Sequence, residues 1–293
     1  MVRVSSIKTM KLTSYLLILL LLFAMSACQT EIVKKQEQPE RPAKQEQPER
    51  GPVPDAAYLS YMLGYSAEIQ YKWDEALKHY SHALKEDPDS VFLKNHIIEV
   101  MFHLDKMDEA LSLAEETYRI DPDNLRTMMI LGALYLNKGM IDESVEIYER
   151  IIEFYPDKTD AYMQLGMIYE GQKKYSDARR IFRKLEEKEP DNVIVFYHLG
   201  TIYFQEQDYD RSEEYFKKAV DIRPDFDAVL YNLGVISEKN GNIETAKSYY
   251  LKALEVNPLN TSSLDRLTGI YLKQNKIAEA VEQIDEISKK YPG

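Results

Sequence analysis

The sequence predicts an all-α array of seven helix-turn-helix units, and three periodic observations predict it. Pro88, Pro122, Pro156, Pro190, Pro224, Pro258 and Pro292 follow one another at intervals of 34 residues. Counting back from them places an aliphatic residue at the seventh position of every unit: Leu63, Ile97, Leu131, Leu165, Leu199, Leu233 and Leu267. The twentieth position is always small: Ala76, Ala110, Ser144, Ala178, Ser212, Ala246 and Ala280. A fixed period over most of a chain means stacked units, each burying its apolar face against its neighbours, so one closed core is excluded.

The units run 57-90, 91-124, 125-158, 159-192, 193-226, 227-260 and 261-293. Each holds two apolar stripes at helical spacing, such as Tyr162, Leu165 and Tyr169, then Ala178, Ile181, Phe182 and Leu185. Between the stripes come breaks such as Lys138-Gly139-Met140 and Lys239-Asn240-Gly241, suited to a left-handed residue. Acidic pairs such as Asp74-Glu75, Asp108-Glu109 and Asp142-Glu143 open the second helix, where the helix dipole favours them. The proline cannot extend that helix, and a following Asn or Ser, as in Asp121-Pro-Asp-Asn124, caps the next one. Trp73 shares its position with Met107, Ile141, Tyr175, Tyr209, Ile243 and Ile277, which marks it as a packing residue.

Gly64, Gly132, Gly166, Gly200 and Gly234 at position eight complete a pattern with the ring residues Tyr80, Tyr148, Phe182, Phe216 and Tyr250 at position twenty-four. In this Leu-Gly, Tyr, Ala, Phe, Pro signature the chain resembles the tetratricopeptide repeat, over residues 57-293. The resemblance implies a right-handed α-solenoid whose first helices line a concave wall. Unit two departs from the signature, with Ile98 and Ala114 in place of the glycine and the ring, and unit seven has Thr268 in place of the glycine. Altered local curvature is expected there.

The first residues read as an address. Arg3, Lys8 and Lys11 precede an apolar run from Tyr15 to Met25, too short to span a bilayer but suited to a secretory signal, and translation from Met10 would give a compact one. Met25-Ser26-Ala27-Cys28 resembles the bacterial lipobox, with Met where Leu is usual. That resemblance implies a signal peptide over 1-27, cleavage before Cys28, and fatty acylation of this cysteine, palmitate included. Several acyl chains hold a protein on a membrane durably. Gln29 instead of Asp implies sorting to the outer membrane, facing the periplasm. Residues 28-56, with the tandem Lys-Gln-Glu-Gln-Pro-Glu-Arg at 35-41 and 44-50, are too polar and proline-rich to fold, and read as a tether.

Charge and cysteine content narrow the function. A net charge of -12 argues against nucleic acid as a partner. The repeats are more acidic still, because the leader is basic. One cysteine excludes an internal disulfide and multi-cysteine metal sites. No catalytic motif stands out, so no enzyme activity, cofactor or metal is expected. His79 and His82 lie three apart on a second helix and read as a solvated face.

In the resembled family, first-helix positions line the concave wall. Carried over, they make a partner-binding groove of Tyr58, Tyr61, Tyr65, Phe92, Asn95, His96, Met129, Met163, Tyr197, His198, Tyr231 and Asn232, with Arg126 in unit three. An aromatic, Met-rich and amide-bearing wall suits a protein or peptide segment with apolar side chains. The expected function is that of an envelope scaffold or assembly factor, serving pilus assembly, secretion, exopolysaccharide export or cell-wall hydrolase control. A polysaccharide-binding lipoprotein and a non-catalytic regulatory subunit of an envelope enzyme are the alternatives. The apolar Ile277, Val281, Ile284 and Ile287 of the last helix predict a homodimer or partner contact at the C-terminal end.

Overall fold

The computed structural model describes residues 55-279, 281, 282 and 285. The expected signal segment, Cys28 and the tether therefore lie outside the described residues, as do the side chains of Ile284 and Ile287. The described residues are helical throughout, without strands, and none of their helices is long and apolar enough to cross a membrane. Thirteen helices have both ends defined: α1 (Asp55–Glu68), α2 (Trp73–Glu86), α3 (Val91–His103), α4 (Met107–Ile120), α5 (Leu125–Lys138), α6 (Ile141–Phe154), α7 (Thr159–Gly171), α8 (Tyr175–Lys188), α9 (Val193–Gln205), α10 (Tyr209–Ile222), α11 (Asp227–Lys239), α12 (Ile243–Val256) and α13 (Thr261–Lys273). Helical residues resume at Ile277.

The chain divides into two units, up to Ala161 and from Tyr162 onward. In the first, α1 packs on α2, α2 on α3, α3 on α4, α4 on α5 and α5 on α6, and α3 also touches α5. In the second, the same succession runs from α8 to α13. Within each unit these helices thus bury their stripes against their sequence neighbours, as a repeat array requires.

The ends of the helices follow the expected chemistry. Asn124 accepts from the Thr127 amide at 3.1 Å, Ser90 from Leu93 at 3.4 Å, Asn192 from Val195 at 3.2 Å and Asn260 from Ser263 at 2.9 Å. These side chains satisfy amides that have no partner within the helix.

Position fifteen, between the two helices of each unit, is left-handed in all seven copies, but only Gly139 and Gly241 are glycines there. Tyr71, Asp105, Lys173, Gln207 and Asn275 hold φ between 57° and 62°. A β-carbon makes this region costly by about 1 kcal/mol. The backbone accepts the cost because the following amide returns to the helix just completed, as Lys174 N does to Tyr169 O at 2.9 Å. Replacing the exposed Lys173 by Gly is expected to raise stability by about 0.5–1 kcal/mol, read from denaturant midpoints, whereas the same change in the adjacent helix would lower it.

The small residues at positions eight and twenty serve one purpose. A β-carbon on Gly64 would stand 2.6 Å from the Tyr80 ring, and one on Gly200 would stand 2.7 Å from Phe216. The ring of the second helix lies flat on the backbone of the first. Ser144 and Ser212 use the same closeness to donate a 2.8 Å hydrogen bond to the carbonyls of Gly132 and Gly200.

Unit two solves this contact differently. Ile98 and Ala114 are both fully buried, so the bulk sits on the first helix and the space on the second. Leu63 differs from its six equivalents: it is 46% exposed, while they are buried. No described helix precedes α1, and the surface that an earlier second helix covers elsewhere is open here.

Candidate functional site

In the first unit, α1, α3 and α5 carry an aromatic surface with a polar floor. Tyr61 is its centre, with its ring centroid 6.3 Å from Tyr65, 5.1 Å from Phe92 and 5.7 Å from Tyr80. Tyr58, Tyr65 and Phe92 are 62%, 45% and 50% exposed. One residue per turn of α1 and the first turn of α3 thus present rings to solvent.

Beneath the rings lies a charge network from three repeats. Arg126 on α5 donates through Nε and Nη2 to the two carboxylate oxygens of Glu99, at 2.9 and 2.6 Å. Tyr80 donates its hydroxyl hydrogen to Glu68. His96 sits between these groups, with Nε2 3.5 Å from Arg126 Nη1 and Nδ1 3.5 Å from Glu68 Oε2. Nδ1 is buried and makes no hydrogen bond. Burial works against the Glu68 charge, but its polar contacts with His96 and Tyr80 and the nearby Arg126 outweigh this and hold its carboxyl below the usual range. Burial and the Glu68 carboxylate push the Tyr80 hydroxyl far up, so it stays a donor.

The second unit repeats the theme with equivalent pairs, of which that of His198 is a direct hydrogen bond. His198 Nδ1 is 2.6 Å from Glu170, and its ring stacks on Phe182 at 4.8 Å. Arg266 lies 3.6 Å from Glu238, which accepts from the Tyr250 hydroxyl at 3.1 Å. Each pair, like Glu68 with His96, joins position twelve of one repeat to position six of the next. Sequence reasoning singled out none of these carboxylates. The recurrence of Glu and a cationic side chain 28 residues later was the available signal.

Several residues expected in the groove are instead structural. Asn95 is buried, accepting from Thr127 Oγ1 at 3.0 Å and donating to Asn124 at 3.5 Å, so its amide locks the second turn of α3 to the cap of α5. Met129 is buried in the α5 packing, and His96 is covered by the rings of Tyr61, Phe92 and Tyr80. Repeat stacking covers these positions, leaving no room for a partner. Tyr58, Tyr65 and Phe92 remain accessible, and Tyr61 and Met163 are half-buried. In the second unit Tyr197 is half-buried against Phe226 at 5.3 Å, Tyr231 packs on Tyr250 at 6.0 Å, and Asn232 is half-buried.

Trp73 stacks on His103, with centroids 3.9 Å apart and planes 7° from parallel. Burial pushes the His103 imidazole below its ordinary value, although Glu68 and Glu99 pull the other way. A depressed histidine binds its proton more readily in the unfolded chain. Stability is therefore full above the ordinary value of 6.5 and falls as pH drops from there through the folded-state value. Thermal melts between pH 7.5 and 5 should show this decline, and His103→Phe, which keeps the stack, should flatten that part of the curve.

Tandem helical hairpins with a flat ring on a close glycine in most copies define a helical repeat protein whose signature residues serve packing. The sequence profiles that match it carry the description tetratricopeptide repeat, one over residues 163–225 and a second over 101–168 and 203–267. Together they span more than half of the chain, and the protein belongs to the tetratricopeptide repeat family.

Solved structures agree. PilF of Pseudomonas aeruginosa is similar over 73% of this chain and 98% of its own, with TM-score 0.60 and 16% identity. YrrB, described as having an unusual peptide-binding site, is similar over 64% of this chain and 96% of its own, with TM-score 0.55 and 17% identity. A MamA fragment from Desulfovibrio magneticus RS-1 matches over 60% and 99%, with TM-score 0.56 and 17% identity. At these identities the likeness establishes the fold. Comparison with curated proteins gave no significant match.

Proposed function

We propose that the protein is a lipid-anchored, non-catalytic scaffold of the bacterial envelope that holds a protein or peptide segment against its first helices. The observation that carries the binding part is the exposed aromatic face of Tyr58, Tyr65 and Phe92 around Tyr61. Monomeric proteins rarely leave contiguous rings in water without a partner to cover them. Membership of a family built for packing, with site chemistry confined to such surfaces, supports a scaffold over an enzyme.

The anchor rests on Met25-Ser26-Ala27-Cys28, and the outer-membrane, periplasm-facing location on Gln29. Ile277 and Val281, both more than half exposed, are the face offered to a second copy or another partner, and sedimentation showing a monomer at all concentrations would remove the second copy. The tyrosine faces also suit sugar stacking. Glycan arrays against peptide pull-downs separate a polysaccharide ligand from a protein.

The test is made in intact cells. A photo-crosslinking residue at Tyr61, Tyr197 or Tyr231 should trap one dominant protein partner, while scattered products would refute a specific surface. Cys28→Ala should move the protein from the membrane to the soluble fraction. Retention in the membrane would refute the anchor and leave the binding surface standing.

A further inference from the structure

We propose that Glu68 forms an anionic well for a cationic side chain, a Lys or Arg flanked by apolar residues in the bound segment. The inference rests on the binding surface described above and names the chemistry of its occupant.

The charge balance points there first. Two carboxylates, Glu68 and Glu99, share a single guanidinium. Arg126 is committed to Glu99 through two hydrogen bonds, at 2.9 and 2.6 Å. Glu68 is left with a neutral hydroxyl from Tyr80 and an imidazole at 3.5 Å. Its carboxyl is held in the charged form, and its side chain keeps 24% of its exposure. This charged carboxylate has no cation hydrogen-bonded to it, and an incoming ammonium or guanidinium can pair with it.

The surroundings point the same way. His96 Nδ1 is buried, lacks a hydrogen-bonding partner and faces Glu68 Oε2 across 3.5 Å. In the second unit the matching pair is closed at 2.6 Å, with His198 directly on Glu170. The well in the first unit is thus open where its counterpart is satisfied. Tyr61 and Phe92 lie against His96, with centroids 5.6 and 4.7 Å away, and aromatic rings attract cations and cover the apolar stem of a long side chain.

A divalent metal is the competing occupant, since Glu68, His96 and Glu99 offer ligand atoms within 4.8 Å of one another. Arg126 argues against it. Its guanidinium already takes both oxygens of Glu99, which leaves a metal ion one carboxylate and one imidazole as ligands.

The experiment uses the full chain panned against a random dodecapeptide display library, in parallel with Glu68→Gln and Glu170→Gln. The native chain and Glu170→Gln should enrich peptides with Lys or Arg at one fixed place among apolar residues. Glu68→Gln, whose amide oxygen still accepts from Tyr80, should keep the apolar preference and lose the basic one. An enriched peptide should bind it about tenfold more weakly, the equivalent of about 1.4 kcal/mol. Enrichment without a basic residue, or a basic preference unchanged in Glu68→Gln, would overturn the well and leave the binding surface intact. No enrichment by any chain would remove both. Stoichiometric Zn2+ or Mn2+ binding to the native chain that is lost in Glu68→Gln would assign the well to a metal and overturn the proposal.

Discussion

Placing Tyr at residue 114 is expected to unfold the second repeat unless Ile98 is cut back in the same molecule. Five other copies pair a glycine at position eight with a ring at position twenty-four. The second copy pairs Ile98 with Ala114, both fully buried. Ala114→Tyr alone forces a ring into space that Ile98 fills, an overpacking penalty of about 3 kcal/mol or more. Ile98→Gly alone removes a buried aliphatic side chain and puts a glycine in a helix, costing about 3–5 kcal/mol. The double variant rebuilds the contact used elsewhere, so its loss should fall well below the sum of the singles, with a coupling of about 2–3 kcal/mol. Urea unfolding of the four proteins measures this. Simple additivity would mean that the two side chains do not share one space.

Gly234→Ala and Gly269→Ala should move stability in opposite directions. At Gly234 a β-carbon would stand 2.4 Å from Cε1 of Tyr250. That ring cannot retreat, being fully buried and tied through its hydroxyl to Glu238 at 3.1 Å. Alanine there should cost about 2 kcal/mol despite its better helix propensity. At Gly269, within α13, nothing lies within 4 Å of the new carbon, and alanine should gain about 0.5–1 kcal/mol. Equal effects at the two sites would show that the close ring contact does not limit the glycine.

Unit two was legible as a departure from the pattern, and a change of curvature was expected. The structure shows an exchange of volume instead, with Ile98 and Ala114 both fully buried. The helix breaks too were only partly legible. Gly139 and Gly241 announce a left-handed residue, whereas Tyr71, Lys173 and Gln207 at the same position do not, because there the backbone geometry of the closed turn overrides the side chain's preference.

The binding surface was legible in part. Tyr58, Tyr65 and Phe92 were expected on an accessible wall and are exposed. Asn95 and Met129 come from position five, not from position two or nine, and are buried, Asn95 against Thr127 and Asn124 of the next repeat. Glu68 and Glu99 were not singled out, since a carboxylate in a sequence carries no mark of its partners.

The order of the helices and the caps of four first helices were determined by the sequence alone, because the 34-residue period and its proline recur in every copy and the capping Ser or Asn acts locally. The open Glu68 well, the closed pair of His198 with Glu170 and the exchange of Ile98 with Ala114 were decided by the tertiary structure. They depend on distances between side chains about 12 to 30 residues apart, and packing sets those distances.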